Sequence, residues 1–391
     1  MNSLAVRMFT GIATFVIGVA VASLFVFERQ GPQIAPVDLG SNTPALEMVF
    51  VLDTTGSMGG LIDGAKQRIW GIVNDVMQSS SHPSVKIGLV AYRDRGDEYV
   101  TQVLPLTDDL DKVYTTLMEY RAAGGGDGPE DVRRALADGL NKAGWSSHIQ
   151  NVARIIFLVG DAPPHDYADE QDTLVSAALA VKQGMIVNTI QCGIERETTE
   201  VWKAIAQRGQ GQYFAIPQNG GVQTVSTPYD DQISVLGMKL GSSYLPYGGG
   251  AGADGVQYRI EAKRMADATE TIVARAPAEA RVQRSVNKVI NEKAYIGDLL
   301  QDIENGSMKI DSIKEDDLPS DLRGLAAADR TKEIEKRLAE RREIRQQILE
   351  LSKQRTEYIA AEQKKRSGET KNSFDLAVSA ALKEQLSRKI K

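Results

Sequence analysis

The run Met48-Val49-Phe50-Val51-Leu52, followed at once by Asp53-Thr54-Thr55-Gly56-Ser57-Met58, limits the possible folds more than any other stretch of this chain. Five consecutive apolar residues leave no polar face, which is the pattern of a strand buried on both sides of a parallel sheet. Gly59-Gly60 come next, and Leu61, Ile62, Ala65, Ile69 and Ile72-Val73 then recur at helical spacing. Asp53, Thr55 and Ser57 therefore fall on a strand-to-helix connection at the carboxyl end of a strand, where open α/β sheets bind their ligands. One carboxylate and two hydroxyls at alternate positions direct hard oxygen donors at a common point. Such a set suits Mg²⁺, which takes near-octahedral oxygen ligands at about 2.0–2.1 Å.

A D-x-[ST]-x-S stretch is also what ordinary caps and turns are made of, so its meaning depends on its company. Arg154-Ile155-Ile156-Phe157-Leu158-Val159-Gly160 is a second buried-strand run, and it ends in Asp161-Ala162-Pro163-Pro164. Between the two runs, Gly124-Gly125-Gly126-Asp127-Gly128-Pro129-Glu130-Asp131 opens the helical pattern Val132, Ala135, Leu136, Leu140. Three acidic loops are thus expected at the carboxyl ends of strands or at helix starts.

On these residues, the segment from about Ala45 to Leu236 resembles a von Willebrand factor A (vWA) domain. That family implies a doubly wound, mostly parallel, Rossmann-like α/β sheet carrying a metal-ion-dependent adhesion site built from three loops. Asp53, Thr55 and Ser57 match the first-loop D-x-S-x-S pattern, with Thr in place of the first Ser, and Asp161 matches the acidic residue of the third loop. The second loop departs from the usual pattern: counting back from Ala135-Leu136, Glu130 stands where most vWA domains have Thr. Asp127-Gly128-Pro129-Glu130 instead resembles the D-S-P-E stretch in the A-like domains of integrin β subunits. There the Glu serves the central metal and the Asp a neighbouring one. The resemblance thus implies Asp53, Thr55, Ser57, Glu130 and Asp161 as metal ligands. Asp127 keeps two readings, a cap for a helix begun by Pro129 or a ligand of a second metal.

Three carboxylates around one divalent ion leave a formal site charge of about −1 if all bind directly. Such a site attracts an anionic further ligand less than one with Thr in the second loop. Ca²⁺ or Mn²⁺ then stands beside Mg²⁺ as an occupant, since Ca²⁺ accepts more oxygens in looser geometry.

Met8 to Phe27 carries no charge, and about 20 apolar residues span a bilayer core. The stretch exceeds a signal-peptide apolar region, and no A-x-A-like cleavage site follows it. Residues 1–30 are therefore read as an uncleaved membrane anchor rather than a cleaved signal peptide. Arg7 and Arg29 nearly balance across the span, with a slight lean towards a vWA domain in the periplasm or outside the cell. Residues 31–44 form a Pro/Gly-rich linker and 45–240 the vWA domain, while 241–276 read as a Gly-rich loop and linker. Residues 277–391 are expected to be helical and coiled-coil-like. In that region Val282, Val286, Val289, Lys293, Ile296, Leu300 and Ile303 make a seam at alternating steps of four and three. A second helix is expected over about Ala328–Lys365, and Phe374, Leu376, Val378, Leu382 and Leu386 suggest a last short helix docked on the others.

With 391 residues there is room for two or three units. A formal net charge of −6 without a basic, aromatic-interleaved stripe argues against nucleic acid as principal partner. Cys192 is the only cysteine and lies in an apolar strand pattern, as a small buried hydrophobe. Two function classes follow. The first is a membrane-anchored binding module, whose metal takes an acidic side chain of a partner protein while the helical region docks or oligomerises. The second is a metal-assisted hydrolase using the same ion to activate water. The three histidines, His82, His148 and His165, form no recognisable catalytic arrangement. The expected protein is a binder, not an enzyme.

Overall fold

The computed structural model describes residues 44–389 apart from 80–81, 127, 148–149, 222–224 and 366–372. The anticipated span over residues 8–27, its linker up to residue 43, Asp127 and His148 lie outside the described residues. No helix among the described residues is long and apolar enough to cross a membrane.

Strands β1 (Ala45–Asp53), β2 (Ser84–Tyr92), β3 (Thr101–Thr107), β4 (Val152–Gly160), β5 (Met185–Cys192) and β6 (Gln210–Ile216) form one sheet in the order β3-β2-β1-β4-β5-β6. Only β2 and β3 pair antiparallel, as their short connection around Arg95-Gly96-Asp97 requires. The strand order reverses between β1 and β4, and such a switch point opens a crevice at the carboxyl ends of the two strands. Asp53 and Asp161 flank that crevice, one ending β1 and the other following β4.

The period of two along β1 explains its unbroken apolar run. Leu46, Met48, Phe50 and Leu52 pack on one face beneath α1 (Gly59–Met77) and α2 (Leu110–Glu119). Val49 and Val51 pack on the other, with α3 (Val132–Asn141), α4 (Thr173–Lys182) and α5 (Arg196–Arg208). The strands anticipated at Met48–Leu52 and Arg154–Gly160 and the helices anticipated from Leu61 and from Val132 are thus present, with ends shifted by a few residues.

The C-terminal half contains α6 (Asp230–Ser242), α7 (Gly252–Ala274), α8 (Ala278–Ile290), α9 (Leu299–Glu304), α10 (Ala327–Lys365) and α11 (Phe374–Lys389). Three expectations need correction here. Residues 252–274, expected within a loop and linker, are a helix whose only buried residues are Gly255, Arg259 and Val273. With so little buried surface, no apolar stripe marked it in the sequence. The seam expected to run unbroken from Val282 to Ile303 is interrupted between α8 and α9. Asn291 Oδ1 accepts from Lys293 N, Gly297 takes φ +68°, and Asp298 caps α9 by accepting from Leu300 N and Gln301 N. These residues satisfy the backbone locally and so break the helix.

The last helix also departs from expectation. Instead of docking on its helical neighbours, α11 crosses back to the vWA sheet, where Phe374, Ala377, Val378, Ala381, Leu382 and Leu386 join the core beneath α1. Phe374 sits 6.0 Å from Phe50, which stacks on Phe157 at 5.3 Å. Asn188 in β5 and Gln385 in α11 exchange two buried amide hydrogen bonds. The helical half holds to the vWA half through buried ion pairs as well. Arg284 and Lys288 of α8 both reach Asp111 of α2 at 2.7 Å. Burial alone would raise the Asp111 carboxyl, but Arg284 and Lys288 overcome that and hold it below its ordinary value.

Candidate metal centre

Each donor at the mouth of the crevice is held by the element that carries it. Asp53 ends β1 with no exposed surface, and its Oδ1 accepts from Thr55 N at 2.8 Å and Thr55 Oγ1 at 2.6 Å. Thr54, between them, faces away and anchors the loop: its hydroxyl donates to Tyr92 O at 2.9 Å and lies 2.8 Å from Tyr99 Oη. Ser57 is exposed, in a single turn of 3-10 helix leading into α1.

The second and third loops are stitched together. Glu130 N donates to Pro163 O at 3.1 Å and His165 N donates to Glu130 O at 2.9 Å, as a parallel bridge between Glu130 and Pro164. This bridge brings Glu130 to the same cleft as Asp161, Thr55 and Ser57. The first loop joins them through Gly56 N, which donates to Gly124 O at 3.2 Å. Gly125 has φ +80°, and a Cβ there would stand 3.0 Å from Thr55 Cβ and 3.1 Å from Glu130 Oε1. A side chain at that position would wedge the first two loops apart.

Helix α3 begins at Val132, with Asp131 as its cap accepting from Arg134 N at 3.0 Å. The reading of Asp127 as cap of a helix begun by Pro129 is therefore corrected: Asp131 does that work, four residues later than expected, and the helix begins at Val132. Asp127 itself lies outside the described residues.

The electrostatics are unbalanced. Asp53 Oδ2 and Glu130 Oε2 are buried without a hydrogen-bond partner. Burial, opposed by the hydrogen bonds from Thr55, pushes the Asp53 carboxyl up to about 7. Burial, together with Asp53, Asp94, Asp97 and Asp161, pushes Glu130 up to about 9. An anion left unpaired at such depth is costly, and a divalent cation is the charge that this oxygen set lacks. Among the described residues no group of three or more His, Cys, Asp or Glu is drawn together as a closed metal cluster. The donors instead pair carboxylates with the Thr55 and Ser57 hydroxyls around an open cleft of about 870 Å³.

Several site residues were not anticipated from the sequence. Gln218, just beyond β6, donates from Nε2 to Asp161 Oδ2 at 2.5 Å and reaches Ser57 O at 3.5 Å. Asp97 accepts from Gly125 N at 3.1 Å and so shapes the glycine loop. Arg95 binds Asp131 at 3.2 Å and Asp169 at 2.9 Å, and lies over the Tyr167 ring. Arg95-Gly96-Asp97, which spells a recognition tripeptide, thus spends both charges inside its own domain. His165 directs Nε2 at Asp94 Oδ2, 3.4 Å away, and is not among the residues lining the cleft.

A doubly wound sheet with its switch-point cleft ringed by these three loops defines the class: residues 47–228 are a von Willebrand factor A domain and match the family model of that description. Among individual proteins, von Willebrand factor A domain-containing protein 7 of Rattus norvegicus is 39% identical over 124 residues, which are 32% of this chain and 13% of that protein. Its Homo sapiens counterpart is 38% identical over the same length, again 32% of this chain and 13% of the relative. An ariadne-like RING finger protein of Acanthamoeba polyphaga mimivirus is 26% identical over 131 residues, covering 34% of this chain and 12% of that protein. The chain spans 13% or less of the length of these relatives. At a general level a vWA domain is a module for protein interaction or adhesion.

Proposed function

We propose that this protein is a membrane-anchored vWA module. Asp53, Thr55, Ser57, Glu130 and Asp161 hold one divalent cation, and its open position takes an acidic side chain from a partner protein. The observation that carries this reading is the pair of buried, unpartnered oxygens, Asp53 Oδ2 and Glu130 Oε2: Glu130 lines one cleft with Asp161 and the two hydroxyls, and Asp53 stands against it through its hydrogen bonds with Thr55. When bound, the ion would offset the mutual repulsion of the carboxylates and present a Lewis-acidic face to the partner. Mg²⁺, Ca²⁺ and Mn²⁺ all suit these donors. The competing reading, a metal-assisted hydrolase, needs a general base close to the ion, and His165 faces Asp94 rather than the cleft.

Calorimetric titration of the full chain in detergent with each of the three ions tests the site. One strong site that weakens at least tenfold in Asp53→Ala supports it; equal affinity in parent and variant overturns it. The anchor rests on the charge-free Met8–Phe27 stretch. The chain should stay in the membrane fraction after a carbonate wash, and release into the supernatant would refute the anchor. The helical half contributes docking or self-association through surfaces other than its apolar seam, since Val282, Val286, Ile334, Leu338 and Ile348 are buried within the chain.

A further inference from the structure

The cleft has an asymmetric rim. Its β5–α5 side is formed by Gly193 to Glu195, with Glu197 two residues further on in α5. Ile194 is 95% exposed, the most exposed of the large apolar residues described. Glu195 and Glu197 are exposed beside it, and both line the cleft with Ile194; Glu195 also caps α5, its Oε2 accepting from Thr198 N at 2.5 Å. Gly193, at φ +82°, turns the chain so that Ile194 stands clear of the surface. Neither Lys nor Arg is found among the described residues that line this cleft. The nearest cation in sequence, Arg196, is turned to Glu200 at 3.3 Å.

An apolar side chain so fully in water gains nothing from folding, whereas covering it on binding removes apolar surface from solvent. The two rim carboxylates favour a cation there and oppose a bare anion. Glu130 Oε2 is buried and unpartnered in the same cleft, and the equally unpartnered Asp53 Oδ2 stands at the end of β1 beside Thr55. We infer that the partner is a protein segment of mixed character: a carboxylate for the metal, flanked within a few residues by a Lys or Arg for Glu195 and Glu197 and by an aliphatic side chain for Ile194. This rests on the metal-site reading above and adds to it the identity of the residues on either side of the acid. The rim resolves a difficulty of the site itself. With three carboxylates around the ion, a lone acidic side chain is weakly attracted, and a neighbouring cation on the same segment offsets the repulsion.

Selection of a random heptapeptide library displayed on phage against the full chain in detergent, in parallel in Mg²⁺ and in EDTA, tests this. The expected result is Mg²⁺-dependent recovery of peptides carrying Asp or Glu with Lys or Arg and an aliphatic residue within three positions. The double variant Glu195→Gln/Glu197→Gln keeps an oxygen at position 195 to cap α5, and should lose the Lys/Arg enrichment at least fivefold while retaining the acid. Ile194→Ser should lose only the aliphatic enrichment. Recovery of acidic peptides without basic neighbours, or of the same peptides from both variants, overturns the rim assignment and leaves the metal reading standing. Equal recovery of basic, aliphatic peptides in EDTA overturns the metal reading and leaves the rim. Failure to enrich any peptide in either condition overturns the rim as a peptide-reading surface.

Discussion

Glu130 is the residue at which this site departs from the usual pattern, and the structure gives that departure a physical form. It is 3% exposed and its carboxyl is pushed up to about 9, so in the absence of metal it holds a proton at neutral pH. On the proposed reading a metal would displace that proton, and the ion that gains most from an extra charged oxygen is the one with the larger, looser shell. Glu130→Thr should therefore lower the affinity for Ca²⁺ relative to Mg²⁺ by about tenfold, as one negative charge leaves the shell. Competition titration of the two ions on parent and variant measures this, and an unchanged preference ratio would show that Glu130 is not a ligand. Gln218 had no comparable signal in the sequence. An amide after a strand is common, and its hydrogen bond to Asp161 exists only because β6 ends at the mouth of the crevice. Asp53, Thr55, Glu130 and Asp161 were legible because each follows a buried strand or precedes a helix. Residues that reach the site from across the sheet were not.

Among the elements, α11 shows most clearly what long-range packing adds to local pattern. Its apolar residues were readable as a helix face, but nothing local shows which surface that face covers. Phe374 fills the space over Phe50 and Phe157, and Gln385 fits only opposite Asn188. Phe374→Ala should cost about 3–5 kcal/mol, the range for truncating a buried aromatic. The loss is read from urea unfolding of the vWA core by tryptophan fluorescence, with Trp70 and Trp202 both buried there. A cost below about 1 kcal/mol would mean that α11 is only loosely docked. The opposite case is α7, which was missed because its stability does not come from a buried stripe. It is tied down by a few polar contacts, such as Arg259 donating to Gly248 O at 2.5 Å and Asp316 O at 3.0 Å. By contrast β1 and β4 were plain from their unbroken apolar runs, since a strand buried on both faces needs no partner to be recognised.

For the molecule as a whole, the Asp111 cluster joins the vWA half to the helical half and carries a pH dependence. Folding holds this carboxyl below its ordinary value, which is about 3.9 in an unfolded chain. Its stabilisation is therefore fully present above about pH 4 and is lost as the pH falls further. Asp111→Asn leaves the buried Arg284 with Glu270 as its remaining carboxylate and takes one from Lys288, and should cost about 3 kcal/mol at pH 7. It should also flatten the decline in stability between about pH 4 and 2. Urea titrations at those three pH values check both parts, and an undiminished acid decline in the variant would assign it to other carboxylates. The crossing of α11 has one more consequence, for the order of synthesis. A ribosome delivers β1 to β6 long before Phe374, yet part of the face beneath α1 is covered only by residues 374–386. The sheet must wait, with Phe50 and Phe157 open on that side, until the whole helical half has emerged. A chain that stops short of Phe374 therefore leaves that part of the sheet face uncovered.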